Sequence, residues 1–156
     1  MIHPGDRIVV TGGSGFMGIN LIRFLLARHY KVTSIDIAPF DYPERDRVAA
    51  ITGDVRDYQA VLASLTDAVA VVHCAAALPL YPPDEIMTTE VDGTRTVLRA
   101  AQDAGIHRVV HISSTAVYGT VAKGVAEDGA FEVLGPYAEA KILAERECAI
   151  ARDAGL

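Results

Sequence analysis

The chain has 156 residues, a formal net charge of −6 and hydrophobic residues at 51% of its positions. This length supports one hydrophobic core and hardly two, so we expect a single domain. The acidic balance, with no block of Lys or Arg, argues against a nucleic-acid partner.

Strand-like and helix-like segments alternate along the chain. The hydrophobic pattern predicts strands at 7–11, 31–36, 48–53, 68–75 and 108–114, and helices at 16–29, 58–65, 84–104 and 136–152. Strands that alternate with helices are typical of a parallel sheet covered by helices on both faces. The fold class predicted from the pattern is therefore α/β.

A glycine-rich stretch, TGGSGFMG at 11–18, follows the first predicted strand and opens the first predicted helix. A helix amino terminus offers unpaired N–H groups and partial positive charge, and the absent side chains of Gly12, Gly15 and Gly18 let a pyrophosphate approach them. Asp36 lies 18 residues beyond Gly18, where its carboxylate can accept hydrogen bonds from a ribose 2′-OH. This context favours a dinucleotide site in a Rossmann-type doubly wound sheet over a plain flexible turn. A Walker-type loop is excluded, because no Gly-Lys-Ser/Thr follows.

The choice of dinucleotide depends on Asp36. Its carboxylate would repel the extra phosphate of NADP, so the predicted cofactor is NAD. The alternative is an ordinary turn aspartate before Pro39, with Arg45 or Arg47 folding back to accept that phosphate.

Neither a membrane nor an oxidising compartment is indicated. No apolar run approaches the ~20 residues of a bilayer span, and the amino terminus lacks the pattern of a secretion signal, so we expect a cytoplasmic protein. Cys74 and Cys148 have neither a zinc-binding spacing nor a disulfide framework, and we expect two buried thiols and no metal site. His73 and His111 lie in predicted strands and are interpreted as core histidines with satisfied hydrogen bonds.

Six short motifs run through the chain in a fixed order. They are T-G-G-x-G-F-x-G at 11–18, G-D-[IV]-R-D at 53–57, H-x-A-A at 73–76, V-x-G-T-x-x-[VL]-L at 91–98, S-S-x-x-V-Y-G at 113–119 and P-Y-x-x-x-K at 136–141. In this set the sequence resembles the extended short-chain dehydrogenase/reductase family, the NAD-dependent epimerases and dehydratases typified by UDP-glucose 4-epimerase. The resemblance covers the whole chain, and six motifs in order are far more specific than any one of them.

The resemblance implies catalytic roles for three residues. Tyr137 would be the general base or acid on a substrate hydroxyl, Lys141 its electrostatic partner, and Ser114 a hydroxyl that orients the same oxygen. A spacing of four on a helix places Tyr137 and Lys141 on one face. A cation about 6 Å from a phenol, at an effective dielectric of ~20, favours the phenolate by roughly 2–3 kcal/mol. The alternatives are a partly buried tyrosine beside a solvated lysine, and a serine that caps a turn.

The resemblance also implies the cofactor contacts. They would come from Gly12, Gly15, Phe16, Met17, Gly18, Asp36, Asp54, Val55, Cys74, Ala75, Ala76, Tyr137 and Lys141. For Asp54, Val55 and the segment at 74–76, the alternative is a plain strand end.

Two residues depart from the family pattern, and one loop is open to two interpretations. Glu90 stands where the family usually has Asn, and Ala140 stands where Ser often precedes the lysine. The loop at 119–135 faces the substrate if the resemblance holds and is otherwise a solvated surface loop; its charged residues include Lys123, Glu127 and Asp128.

Family members run to about twice this length, and Leu156 stands where the next strand is expected. We therefore expect residues 1–156 to form an NAD-binding domain whose sheet is truncated before its last strands, with the substrate-binding region absent. The predicted function is that of an NAD-dependent epimerase or dehydratase acting on a nucleotide sugar. The alternatives are a hydroxysteroid dehydrogenase-like enzyme or carbonyl reductase of the same family, and a non-catalytic redox sensor that binds the dinucleotide.

A homodimer is predicted through the helices at 84–104 and 136–152. The motive is partly the resemblance and partly a stripe of small residues, Ala140, Ala144 and Cys148, that would let another helix approach closely. The alternative is that this stripe packs on the chain's own sheet.

Overall fold

The computed structural model describes residues 1–120, 124–127 and 129–156. In these residues five strands form one parallel sheet. They are β1 Arg7–Thr11, β2 Lys31–Asp36, β3 Val48–Thr52, β4 Ala68–His73 and β5 Val109–His111. Their order across the sheet is β3-β2-β1-β4-β5, so the chain runs outward from β1 to one edge and then crosses back to build the other. This is a Rossmann-type doubly wound sheet, as predicted.

Helices connect the strands. They are α1 Phe16–Leu26, α2 Tyr58–Ser64, α3 Pro83–Met87, α4 Gly93–Asp103 and α5 Pro136–Asp153. A π-helical turn, Thr88–Asp92, joins α3 to α4, and 3-10 turns lie at Arg45–Arg47 and Thr115–Tyr118.

The central strands of the sheet are buried on both faces, and their side chains alternate between the two. On β1, Ile8 and Val10 point to one face and Val9 to the other. The first face packs against α1 through Ile22 and its neighbours, and the second packs against α2 and α4 through apolar residues that include Val97. The two apolar layers hold the strands in register and bring their carboxyl ends to one edge.

The predicted helix at 84–104 is wrong in one respect, because the π-helical turn interrupts it. In this widened turn both Glu90 and Val91 are buried, at 0% and 8% exposure. Hydrophobic spacing of four and three does not reveal such a turn, since a π-bulge adds one residue without breaking the apolar stripe.

The strand predicted at 108–114 is shorter and less buried than expected. Only Val109–His111 pair with β4, and Val110 is 45% exposed, because β5 lies at the edge of the sheet. Beyond His111, the Ile112 N–H still donates to the His73 carbonyl of β4 at 3.1 Å. The Ile112 carbonyl then accepts from Lys141 Nζ, and the Ser114 hydroxyl caps the following turn.

Two of the three small residues of the stripe on α5 pack within the chain, and the third, Cys148, is half-buried. Ala140 and Ala144 are fully buried, and Ala140 contacts a small cluster with Ile86 and Val91. These two alanines therefore offer no face to a second copy, and the homodimer stays a prediction that other residues of the helices would have to carry. In the described part of the chain, no helix is long and apolar enough to cross a membrane.

Candidate active site

All the predicted site residues lie at or beyond the carboxyl edge of the sheet. The glycine loop follows β1, Asp36 ends β2, Asp54 follows β3, and Ser114 follows β5. Ligands of doubly wound sheets bind outside this edge, near the point where the strand order reverses. Here that point lies between β1 and β4, beside the glycine loop.

At two positions of the glycine loop an added Cβ would collide with backbone atoms. A Cβ on Gly12 would lie 2.6 Å from the Ala75 nitrogen, and one on Gly18 would overlap the Gly12 carbonyl oxygen. No described side chain caps α1, and its first two residues, Phe16 and Met17, are 86% and 53% exposed. Their N–H groups have no partner within the helix and can bind an anion, so the loop fits the pyrophosphate of a dinucleotide.

The Asp36 carboxylate is fixed beside this loop. Its two oxygens accept hydrogen bonds from the N–H groups of Ser14 and Ala38, each at 2.9 Å. Arg47 donates to the Leu26 carbonyl and lies next to the amino end of β3, at the opposite edge of the sheet. Arg45 is exposed and contacts Asp46. Neither arginine is bonded to Asp36 in the described residues, so the NADP alternative loses its support.

Two residues after β3 take different positions. The Asp54 carboxylate pairs with Arg56 at 2.6 Å, and this hydrogen-bonded guanidinium lowers the pKa of Asp54. The Val55 side chain is 4% exposed and belongs to the core, so only its backbone is available to a ligand. The alternative of a plain strand end is therefore correct for the Val55 side chain, whereas the Asp54 side chain lies at the carboxyl edge of the sheet.

A buried network holds the segment after β4 against the glycine loop, and the sequence reasoning missed it. Thr11 Oγ1 accepts from the Ala75 N–H at 3.2 Å and lies 2.7 Å from His73 Nδ1. On the other side of the ring, Nε2 lies 3.2 Å from Thr94 Oγ1, so each ring nitrogen has one hydroxyl partner, and the tautomer of the ring sets which partner donates. Burial lowers the pKa of His73 to about 3, so the ring is neutral. Thr11, His73 and Thr94 come from three of the six sequence motifs, at 11–18, 73–76 and 91–98. Their place in the motif set was the available signal that they lie in one site.

His111 differs from His73, since it is half-buried and His73 is buried. His73 has satisfied hydrogen bonds, as predicted, but the prediction for His111 is wrong, because neither of its ring nitrogens has a partner among the described residues. The two rings lie 5.4 Å apart, and burial lowers the pKa of His111 to about 4.

Lys141 is buried beside Tyr137. Its side chain is 3% exposed, so the solvated-lysine alternative is wrong, and its Nζ lies 5.9 Å from the centre of the Tyr137 ring. The ammonium donates to the Ile112 carbonyl oxygen at 2.9 Å and lies 2.8 Å from Glu90 Oε2. Tyr137 is half-buried and packs against the cluster that contains Ala77, next to the segment after β4.

Ser114 lies at the start of the turn after β5. Its Oγ accepts a hydrogen bond from the Ala116 N–H at 3.2 Å, so the turn-capping alternative describes its contact in this structure. An acceptor hydroxyl still has its own proton to donate, so capping leaves Ser114 able to bond a substrate oxygen. The described residues show no hydrogen bond between the hydroxyls of Ser114 and Tyr137.

Glu90, the departure from the family pattern, joins three segments of the site. It is fully buried, Oε1 accepts from the Ala77 N–H at 2.9 Å, and Oε2 has the ion pair with Lys141 as its one polar contact in the described part of the chain. Burial raises the pKa of Glu90, while Lys141 and the Ala77 N–H oppose that rise. The unusual residue at this position was itself the sequence signal.

The matches to known proteins agree with this geometry. A profile of the NAD-dependent epimerase/dehydratase family matches residues 8–156. The chain belongs to this family. Two curated members that it resembles act on steroids by name. The 3 beta-hydroxysteroid dehydrogenase/Delta 5→4-isomerase of Mycobacterium tuberculosis is 33% identical over 155 residues, covering 90% of this chain and 41% of that enzyme. The decarboxylating sterol-4-alpha-carboxylate 3-dehydrogenase of Mus musculus is 34% identical over 158 residues, covering 97% and 43%.

One solved structure is similar in fold to this chain. DesIV, the dTDP-glucose 4,6-dehydratase of Streptomyces venezuelae, was crystallised with NAD and TYD. It superimposes with a TM-score of 0.85 at 32% identity, over 96% of this chain and 53% of that one. The chain thus spans about two fifths of the length of the two curated relatives and about half of this structure. NAD is the cofactor of the family, as predicted.

The two cysteines add no reactive group to the site. The prediction of two buried thiols is wrong in degree, because Cys74 and Cys148 are half-buried. This burial still raises the pKa of each thiol to about 11, so both are protonated at neutral pH. The described residues contain no cluster of metal-ligating side chains. In the loop at 119–135, Lys123 and Asp128 lie outside the described residues, and the Glu127 carbonyl accepts from the Tyr118 hydroxyl.

Proposed function

We propose that this chain is the cofactor-binding and proton-transfer part of an enzyme that oxidises a hydroxyl-bearing carbon of a nucleotide sugar, as epimerisation or dehydration requires. One observation carries the proposal. A buried cation, Lys141, lies one helical turn from Tyr137 and bonds the Ile112 carbonyl just after β5, at the same carboxyl edge of the sheet as the glycine loop.

The residues at the carboxyl edge divide the binding work. The glycine loop and the first turn of α1 bind the pyrophosphate, and Asp36 accepts from the ribose hydroxyls. Bound NAD⁺ supplies the hydride acceptor for the substrate carbon. Two of the three ammonium N–H groups of Lys141 point to Ile112 and Glu90, which leaves one for a cofactor hydroxyl.

The proton is moved by Tyr137. Its phenolate takes the proton of the substrate hydroxyl as the hydride leaves the carbon, and it returns a proton when the carbonyl is reduced. Lys141 favours the phenolate by its positive charge. Ser114 donates its hydroxyl proton to the same substrate oxygen and so fixes that oxygen next to Tyr137.

A second substrate class has support of its own. Both curated relatives described above are named for steroid substrates, at 33% and 34% identity. A hydroxysteroid dehydrogenase uses the same transfer of hydride and proton, so Tyr137, Lys141 and Ser114 would keep their roles. The described residues include the cofactor-binding edge of the sheet and the proton-transfer residue Tyr137. A turnover assay with each substrate distinguishes the two substrate classes.

The test is Tyr137→Phe in the longest protein that contains this chain. We expect turnover of a nucleotide sugar or a hydroxysteroid with NAD⁺ to fall by about 10²–10⁴-fold, because the proton acceptor is lost. NADH affinity, measured by calorimetry on the 156-residue chain, is expected to change less than about twofold, because the ring is kept.

Tyr58→Phe is the matched control, because its hydroxyl bonds Asp103 away from the site. It should leave both quantities unchanged. The same calorimetry with NADPH should give weaker binding, owing to the charge of Asp36. Full turnover in Tyr137→Phe would remove the proton-transfer role, and dinucleotide binding with no turnover of either substrate class by the unsubstituted protein would favour the redox sensor.

A further inference from the structure

The ion pair between Glu90 and Lys141 is held from several sides. Glu90 lies in the π-helical turn, and its Oε1 is fixed by the Ala77 N–H at 2.9 Å. Lys141 lies on α5, and its ammonium is fixed by the Ile112 carbonyl oxygen at 2.9 Å. Neither side chain has room to turn away, since their exposed fractions are 0% and 3%. The pair therefore sets where the positive charge next to Tyr137 is located.

Most titratable groups around Lys141 carry no charge at neutral pH. His73 on β4 and His111 on β5 are neutral, because burial lowers their pKa values to about 3 and 4. Cys74 and Cys148 are protonated, because burial raises the pKa of each to about 11.

The carboxylates near Lys141 are not equivalent. Glu145, one turn further along α5, is hydrogen-bonded to the Ser113 hydroxyl. Glu90 alone among the described carboxylates lies within ion-pair distance of the Lys141 ammonium, at 2.8 Å.

A carboxylate in this position changes what the lysine does to its neighbours. An isolated ammonium projects a full positive charge, whereas a contact ion pair projects the weaker field of a dipole. In a buried site that difference is screened less than it is in water. Tyr137, whose ring centre is 5.9 Å from Nζ, therefore experiences a smaller positive potential than the lysine alone would give.

We propose that Glu90 is a positioning residue that acts through Lys141, fixing the ammonium next to Tyr137 and reducing its electrostatic effect, so that proton transfer by Tyr137 works at a higher pH than with a neutral residue at position 90. This inference rests on the proposed function of Tyr137. It assigns a role to the one family departure that contacts the catalytic lysine.

The test follows the ionisation of Tyr137 directly. The 156-residue chain is labelled with 13Cζ-tyrosine and titrated by NMR, with and without NAD⁺, and the Tyr137 signal is assigned by its loss in Tyr137→Phe. In Glu90→Gln the midpoint of this titration should fall by about one pH unit, because the negative charge paired with Lys141 is gone. Asp84→Asn, which removes an exposed carboxylate of α3, is the control and should shift the midpoint by less than a few tenths of a unit.

A second pair of variants shows whether the effect passes through the lysine. In Lys141→Met, Glu90 has lost its cation and becomes protonated, so adding Glu90→Gln should leave the midpoint unchanged. In the longest protein that contains this chain, Glu90→Gln should shift the acidic limb of the pH profile of kcat in the same direction and by the same amount as the NMR midpoint.

Several results would overturn the proposal. One is an unchanged or higher midpoint in folded Glu90→Gln, and another is the same shift in the Lys141→Met background. Should Glu90→Gln fail to fold, Glu90→Asn, which has the residue of the family pattern, takes its place, and loss of folding in both would show a purely structural role. Turnover in Tyr137→Phe would instead overturn the proposed function, so the two failures are distinguishable.

Discussion

The two halves of the site are built from different materials. At the glycine loop the chain uses backbone, with Gly12 and Gly18 packed against main-chain atoms and helix N–H groups exposed to a ligand. At the edge formed by β5 and α5 it uses buried charge, with Lys141 held by Glu90 and a carbonyl oxygen. An added atom is expected to destabilise the glycine loop, whereas the removal of one charge of the ion pair is expected to destabilise the edge formed by β5 and α5.

This difference separates two costs. Adding a methyl group to a packed backbone costs strain and leaves electrostatics untouched. Removing one partner of a buried ion pair leaves the other as an unpaired charge in an apolar environment, which is more costly than removing both. The two halves can therefore be perturbed separately.

The largest loss of stability is expected from Glu90→Leu. This change leaves both the Lys141 ammonium and the Ala77 N–H without their carboxylate partner, and the free energy of unfolding should fall by about 3–5 kcal/mol. The double variant Glu90→Leu/Lys141→Met should recover more than half of that loss, because no buried charge remains. Urea titrations of the four proteins of this cycle measure the coupling, and additive losses would show that the ion pair is not what stabilises this edge.

The glycine loop should lose somewhat less. In Gly12→Ala the new Cβ would lie 2.6 Å from the Ala75 nitrogen at a backbone φ of +67°, and we expect a loss of about 3 kcal/mol. Gly15→Ala is the matched control, since its Cβ would meet only the Gly12 carbonyl oxygen at 3.3 Å. Thermal unfolding should separate the two clearly, and equal midpoints for both variants would contradict close packing at Gly12.

The smallest of these effects concerns acid stability at the β5 edge. The pKa of His111 is lowered from 6.5 to about 4 in the folded protein, so its contribution to stability is complete above pH 6.5 and is lost as the pH falls toward 4. By pH 5 that loss is about 2 kcal/mol. His111→Phe should remove it and should not lower stability at pH 8, because two ring nitrogens without partners are removed with the imidazole.

The exposed His107 provides the comparison for that measurement. His107→Gln should keep the steep decline between pH 6.5 and 5, because it leaves the His111 ring in place. Unfolding free energies at pH 8, 6.5 and 5 decide the matter. An equally steep decline in His111→Phe would place the acid sensitivity elsewhere in the chain.

Much of the β1 to β2 region was predictable from local sequence. The strands at 7–11 and 31–36 and the first residue of α1 were predicted with the boundaries observed. Each depends on neighbours in sequence, such as an apolar run, a glycine turn or an acidic residue at a strand end. The position of Asp36 beside the loop follows once two parallel strands pair in register.

The region from Glu90 to Lys141 was less predictable. The Tyr137 and Lys141 spacing was visible in the sequence, but the burial of the lysine was not, since a lysine on a helix is usually solvated. The π-helical turn was also invisible, because inserting one residue preserves the hydrophobic stripe. The absence of hydrogen-bond partners for the His111 ring among the described residues could not be foreseen, because it depends on which atoms of other elements reach the ring.

The sequence by itself determined the α/β architecture, the dinucleotide-binding loop and the six family motifs, because these depend on periodicity and on residues close together along the chain. Only the tertiary structure decided that Glu90 pairs with Lys141, which is 51 positions away, and that Thr11, His73 and Thr94 form one network. A buried polar group takes its partner from whichever element packs against it, and that choice is made when the helices close over the sheet.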